Sequence, residues 1–116
     1  MICVAFALAI ASTAPVRAAQ MNIVESFPAA NATVSGESTQ YSVRFDGPVD
    51  HERSRLWIAQ HGNVLQLLAP RLNSAPSTLY SGARRLPAGD YELHWEVHSA
   101  LDGSITTGFV PFKVAG

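Results

Sequence analysis

The sequence has a single cysteine, Cys3, in 116 residues. One thiol makes no disulfide within a chain and no multi-cysteine zinc or iron–sulfur site. Charge is scarce as well: eight Lys and Arg stand against nine Asp and Glu, a formal net charge of −1. The seven arginines lie scattered at positions 17, 44, 53, 55, 71, 84 and 85. They form no basic stripe, so no nucleic-acid partner is expected. The longest apolar run, Ile2 to Ala11, covers ten residues, about half of what a membrane-spanning helix needs. No glycine-rich phosphate loop follows a strand pattern, and no G-x-S-x-G elbow is present. His98 and Ser99 are neighbours and fall on opposite faces of a strand, which keeps them from forming a triad with Asp102; no enzyme is expected. No stretch of ten or more residues has helical amphipathicity.

What is present begins with a leader. Ile2 to Ala11 reads as the apolar region of a secretory signal, and Val16-Arg17-Ala18 as its small-x-Ala cleavage site. The expected organisation is a signal peptide at residues 1–18 and one domain at 19–116. Cleavage removes Cys3 and Arg17, so the exported chain keeps four histidines, one methionine and no thiol. It must then fold on its core alone, which is feasible but not generous at this size.

From Ile23 onward the dominant period is two. Tyr41, Val43 and Phe45 alternate with polar residues, as do Leu93, Trp95 and Val97, and then Val110, Phe112 and Val114. Such alternation marks strands with one face on a core and one in water. Leu56 to Ile58 and Val64 to Leu68 read as two further strands joined through His61-Gly62-Asn63. Proline and glycine punctuate the chain every ten to fifteen residues or so, and Pro111 inside the last strand predicts an edge or a bulge. The fold class is all-β, with about seven strands in a Greek-key barrel or sandwich of cupredoxin-like or immunoglobulin-like type.

The densest set of potential metal ligands is His94-Trp95-Glu96-Val97-His98. In a strand, alternate residues share a face at about 7 Å spacing, so His94, Glu96 and His98 project away from the core-facing Leu93, Trp95 and Val97. Two imidazoles and a carboxylate suit a borderline divalent metal such as Cu(II) or Zn(II). His94 and His98 stand about 13 Å apart along an extended strand, so each is expected to pair with Glu96 or with a neighbouring strand. A plain polar outer face is the alternative. Trp95 is expected in the core, and the face of Trp57 is left open.

Two stretches carry a family resemblance. Ile23-Val24-Glu25-Ser26-Phe27-Pro28-Ala29 resembles the opening strand and turn of the CopC family of periplasmic copper-resistance proteins. Leu86-Pro87-Ala88-Gly89-Asp90-Tyr91, continuing through Trp95 to Asp102-Gly103, is similar to the family's L-P-A-G-x-Y-x-V-x-W-x-V-x-S-x-D-G-H signature. Gly108, Phe112 and Val114 match its closing strand, and Tyr41 to Phe45 its second. The resemblance covers nearly all of residues 20–116. It implies a periplasmic protein that binds, carries or sequesters copper ions, as Cu(II) rather than Cu(I), and a monomer is expected. It also implies a CopD-like inner-membrane copper transporter as partner, and a metal-free interaction module for that transporter is the alternative. In the family, Cu(II) is held by the N-terminal amine and its histidine, by the histidine of D-G-H and by that motif's aspartate. Here those places fall on Gln20, Ser104 and Asp102, so Asp102 alone matches. The candidate metal set is accordingly Asp102, His98, His94 and Glu96.

Overall fold

The computed structural model describes residues 21–37 and 39–116. The expected signal at 1–18 and Gln20 lie outside the described residues. Eight strands follow in order: β1 (Ile23–Phe27), β2 (Ala32–Val34), β3 (Gln40–Phe45), β4 (Arg55–Gln60), β5 (Asn63–Leu68), β6 (Thr78–Gly82), β7 (Gly89–His98) and β8 (Ile105–Val114). They form two sheets, β1-β3-β6 and β2-β8-β7-β4-β5. Of the two forms expected for the all-β class, this is the sandwich; the sheets do not close into a barrel. About seven strands were expected and eight are found; β2 is three residues pairing parallel with the end of β8.

The core lies between the sheets and is built by the alternation itself. Tyr41, Val43 and Phe45 of β3 are buried, and they face Leu93, Trp95 and Val97 of β7 together with Val110, Phe112 and Val114 of β8. Trp95 is 5% exposed and meets Phe45 edge-on, with ring centroids 6.0 Å apart. It lies against Gly108, directly opposite in the β7–β8 register. The Tyr91 hydroxyl donates to the Pro87 carbonyl at 2.6 Å, a tyrosine-corner contact of the kind found in sandwich folds.

Pro111 sits in β8 opposite Glu92 of β7, one residue before β8 begins to pair with β2. Its carbonyl accepts from the Asn31 N–H at 2.7 Å. A strand residue points its nitrogen and its carbonyl to the same side, so the missing N–H faces away from β7 and costs no bond in the β7–β8 ladder. The β4–β5 hairpin turns through His61 and Gly62, at φ of 52° and 80°. Positive φ at both central residues matches the right-handed twist of the flanking strands.

Candidate metal centre

β7 is the longest strand beside β8, and its outward residues make one row: Asp90, Glu92, His94, Glu96 and His98. Inward positions in β7 are occupied by large apolar residues, so every second side chain is left for the outer face. The two imidazoles do not converge. His94 Nε2 lies 2.8 Å from Glu92 Oε1, and His98 Nε2 lies 3.2 Å from Glu96 Oε2. Each histidine is therefore held by the carboxylate two residues before it. His94 is further fixed by its neighbours across the sheet. Its ring stacks on Trp57 of β4 at 5.4 Å and on Phe109 of β8 at 5.0 Å, because the register sets Trp57, His94 and Phe109 in one line.

Asp102 sits apart from this row, in the turn between β7 and β8. The turn is closed by the Ser99 N–H on the Ser104 carbonyl and the Gly103 N–H on the Ser99 carbonyl, both at 2.9 Å. Gly103 takes a φ of 74°, which favours glycine there. Asp102 Oδ1 accepts from the Ser104 N–H at 2.9 Å. That bond, first among the contacts to its exposed carboxyl, holds Asp102 below the usual carboxylate range.

The chain entering β1 reaches the same pole of the sandwich. The Met21 N–H donates to Thr106 Oγ1 at 3.3 Å, two residues beyond Ser104. Asn22 holds the Asp46 carboxylate through its backbone and its side-chain amide, both at 3.0 Å. The Ala100 N–H on the Pro48 carbonyl ties the β7–β8 turn to the loop after β3.

Among the described residues, no three of His, Cys, Asp and Glu come together to hold a metal ion. The four candidates divide into a stacked His94, a His98–Glu96 pair and the turn carboxylate of Asp102. Ser104 offers a hydroxyl where an imidazole would be needed, so the described part of the pole does not reproduce the donor set implied by the resemblance. Glu92, Trp57 and Phe109 were absent from the candidates. Glu92 had a local signal, two residues before His94 on the same alternating strand; the rings reach His94 through cross-strand register.

An eight-strand sandwich in which the chain entering β1 meets the start of β8, just past the polar β7–β8 turn, defines a small all-β domain of the kind the motifs anticipate. The chain belongs to the CopC family: the model for the CopC domain matches residues 23–115. Among solved structures it is similar to CopC from Methylosinus trichosporium OB3b, at 26% identity and a TM-score of 0.74, over 82% of this chain and 93% of that one. It is also similar to PcoC, a methionine-rich copper resistance protein from Escherichia coli, at 22% identity and a TM-score of 0.68, over 84% of this chain and 100% of that one. No curated protein matches it significantly.

Proposed function

We propose that this chain is an exported copper-resistance protein that carries or sequesters copper ions in the periplasm, and is not an enzyme. The observation that carries the reading is the meeting at one pole of the chain entering β1 with the start of β8, just past the β7–β8 turn, through the Met21–Thr106 bond. Family membership and the likeness to copper proteins support it. Asp102 is exposed and ionised at neutral pH, and His98 ends β7 at the base of the same turn. In this reading both contribute to copper, with Glu96 orienting His98 and His94 further along the strand. Met21 is the one methionine of residues 19–116 and is buried. It offers no thioether cluster for Cu(I), which favours Cu(II). Export through residues 1–18 and action as a monomer complete the proposal.

The test is mass spectrometry of the protein purified from copper-supplemented cells, followed by Cu(II) titration with EPR detection. The expected results are an N-terminus at residue 19, bound copper, and a nitrogen-coordinated Cu(II) spectrum altered by His98→Ala and weakened by Asp102→Asn. A ligand at one hundred times its Kd stabilises the folded state by about 2.7 kcal/mol. Copper-free protein with no thermal shift at saturating Cu(II) overturns the reading.

One observation favours a second reading. Since no three ligands converge among the described residues, the domain in that case acts without metal, as a module docking on a CopD-like inner-membrane copper transporter. Copper-free protein that still binds the transporter is the outcome expected from it.

A further inference from the structure

The outer side of β6, where Thr78 and Tyr80 alternate with the buried Leu79 and Ser81, carries a pocket that the copper reading does not use. It measures about 320 Å³ and is lined by Arg71, Asn73, Ser74, Ala75, Thr78 and Tyr80. That is the small end of the range for ligand sites, about 300–1,000 Å³. The loop that forms it is tied down at several points. The Arg71 N–H donates to the Tyr80 carbonyl at 2.8 Å, and the Thr78 N–H to the Ala75 carbonyl at 3.1 Å. The Ser74 hydroxyl donates to the Arg71 carbonyl at 2.8 Å. His51 Nε2 reaches the Ala75 and Thr78 carbonyls at 3.1 and 3.0 Å. A site fixed before its ligand arrives loses less freedom on binding.

The lining holds a cation and hydrogen-bond donors, and no acid. Arg71 Cζ lies over the Tyr80 ring, 5.0 Å from its centroid. Arg44, Arg53 and Arg85 each have a carboxylate partner, whereas Arg71 has none among the described residues. The Asn73 amide and the Thr78 hydroxyl also have no hydrogen-bond partner there. Arg44 stands opposite Thr78 in the β3–β6 register and adds a second guanidinium on this side, while its acid, Glu25, is on β1, two strands away from β6. A guanidinium over a ring uses its face there and keeps its N–H edge for an acceptor, and a planar carboxylate matches that fork with two parallel bonds. We propose that this pocket binds a small free monocarboxylate with an apolar body. The carboxylate meets Arg71, with Asn73 and Thr78 as further donors, and the body lies against Ala75 and Tyr80. The small volume selects a free molecule over a protein segment. Asp102, His98, His94 and Glu96 take no part, so the inference goes beyond the copper reading and does not depend on it.

The test titrates the protein as its cells process it, without copper, with benzoate at neutral pH. Benzamide is the uncharged control and inorganic phosphate the tetrahedral one. Chemical-shift mapping of backbone amides and arginine Nε–H groups is expected to show saturable millimolar binding of benzoate, weakened by salt, with shifts centred on residues 71–80 and the Arg71 Nε–H. Arg71→Gln is expected to weaken it by roughly tenfold or more, about 1.4 kcal/mol per tenfold. Arg71→Lys should restore only part of the loss, because an ammonium lacks the fork. Thr78→Val is expected to weaken binding severalfold, and Arg84→Gln, outside the pocket, to leave it unchanged. Thermal melts of these variants check that the fold is kept. No saturation at tens of millimolar benzoate overturns the proposal, as do equal affinity for benzamide or phosphate, equal shifts at the other arginines, or unchanged affinity in folded Arg71→Gln. Tighter binding of a blocked alanine peptide carrying one glutamate also overturns it, since the pocket would then serve a protein segment.

Discussion

A methyl group at position 108 would lie 2.7 Å from Cζ2 and 2.9 Å from Cε2 of Trp95. Trp95 is wedged against Phe45 and has no room to retreat, so Gly108→Ala forces ring and strand apart. The expected cost is about 2 kcal/mol, typical of overpacking in a filled core, measured by urea denaturation followed through tryptophan emission. Tyr41 is the opposite case. Its hydroxyl is buried and has no hydrogen-bond partner among the described residues. Tyr41→Phe removes a desolvated polar group and is expected to raise stability by about 1 kcal/mol at neutral pH. Burial, with a smaller contribution from Tyr91, pushes the Tyr41 hydroxyl above its ordinary value of 10.0. Above that pH the unfolded chain ionises this tyrosine while the folded one resists, so the native protein loses stability as pH rises from 10 toward the folded value. The phenylalanine variant lacks this loss, which urea midpoints at pH 8 and above pH 10 would reveal.

At the scale of elements, the β4–β5 hairpin places His61 at a φ of 52°. Asparagine followed by glycine suits such a turn better, so His61→Asn is expected to gain about 0.5 kcal/mol in thermal unfolding. This hairpin also bears on what the residues disclose. Its strands and glycine turn were legible because they are local. The face of Trp57 was not, because apolar Leu56 and Ile58 flank it and the strand register slips beside Ile58. The strands β3, β7 and β8 could be read from alternation, since each buries one face. β2 could not, because three residues carry little periodicity and its parallel partner lies far along the chain. β6 lay unread between Pro76 and Gly82, where Leu79 and Ser81 are the inward residues and only one of them is apolar. For the site, the His–Glu spacing was visible, but the stack around His94 depends on three strands meeting in register.

For the whole molecule, Met21 and Asn22 act as a latch. Met21 is buried, its N–H reaches Thr106, and Asn22 binds Asp46 with both of its nitrogens. A chain beginning at Ile23 keeps every strand and loses this connection between the sheets at the pole carrying Asp102. It is expected to be less stable by about 2 kcal/mol, the order of burying one methionine side chain. Hydrogen exchange should show faster opening at Thr106 and in the 99–104 turn than in the rest of β7.

The stacking of Trp57 on His94 gives the protein a built-in optical reporter. The two tryptophans lie on opposite faces of one sheet, Trp95 in the core and Trp57 in van der Waals reach of an imidazole held by Glu92. When that imidazole takes up a proton or a metal ion, the positive charge lies over the Trp57 ring, and its emission changes while that of Trp95 does not. Two colours of fluorescence, one blue-shifted by burial and one sensitive to the outer face, thus separate events on the sheet surface from events in the core without any added label.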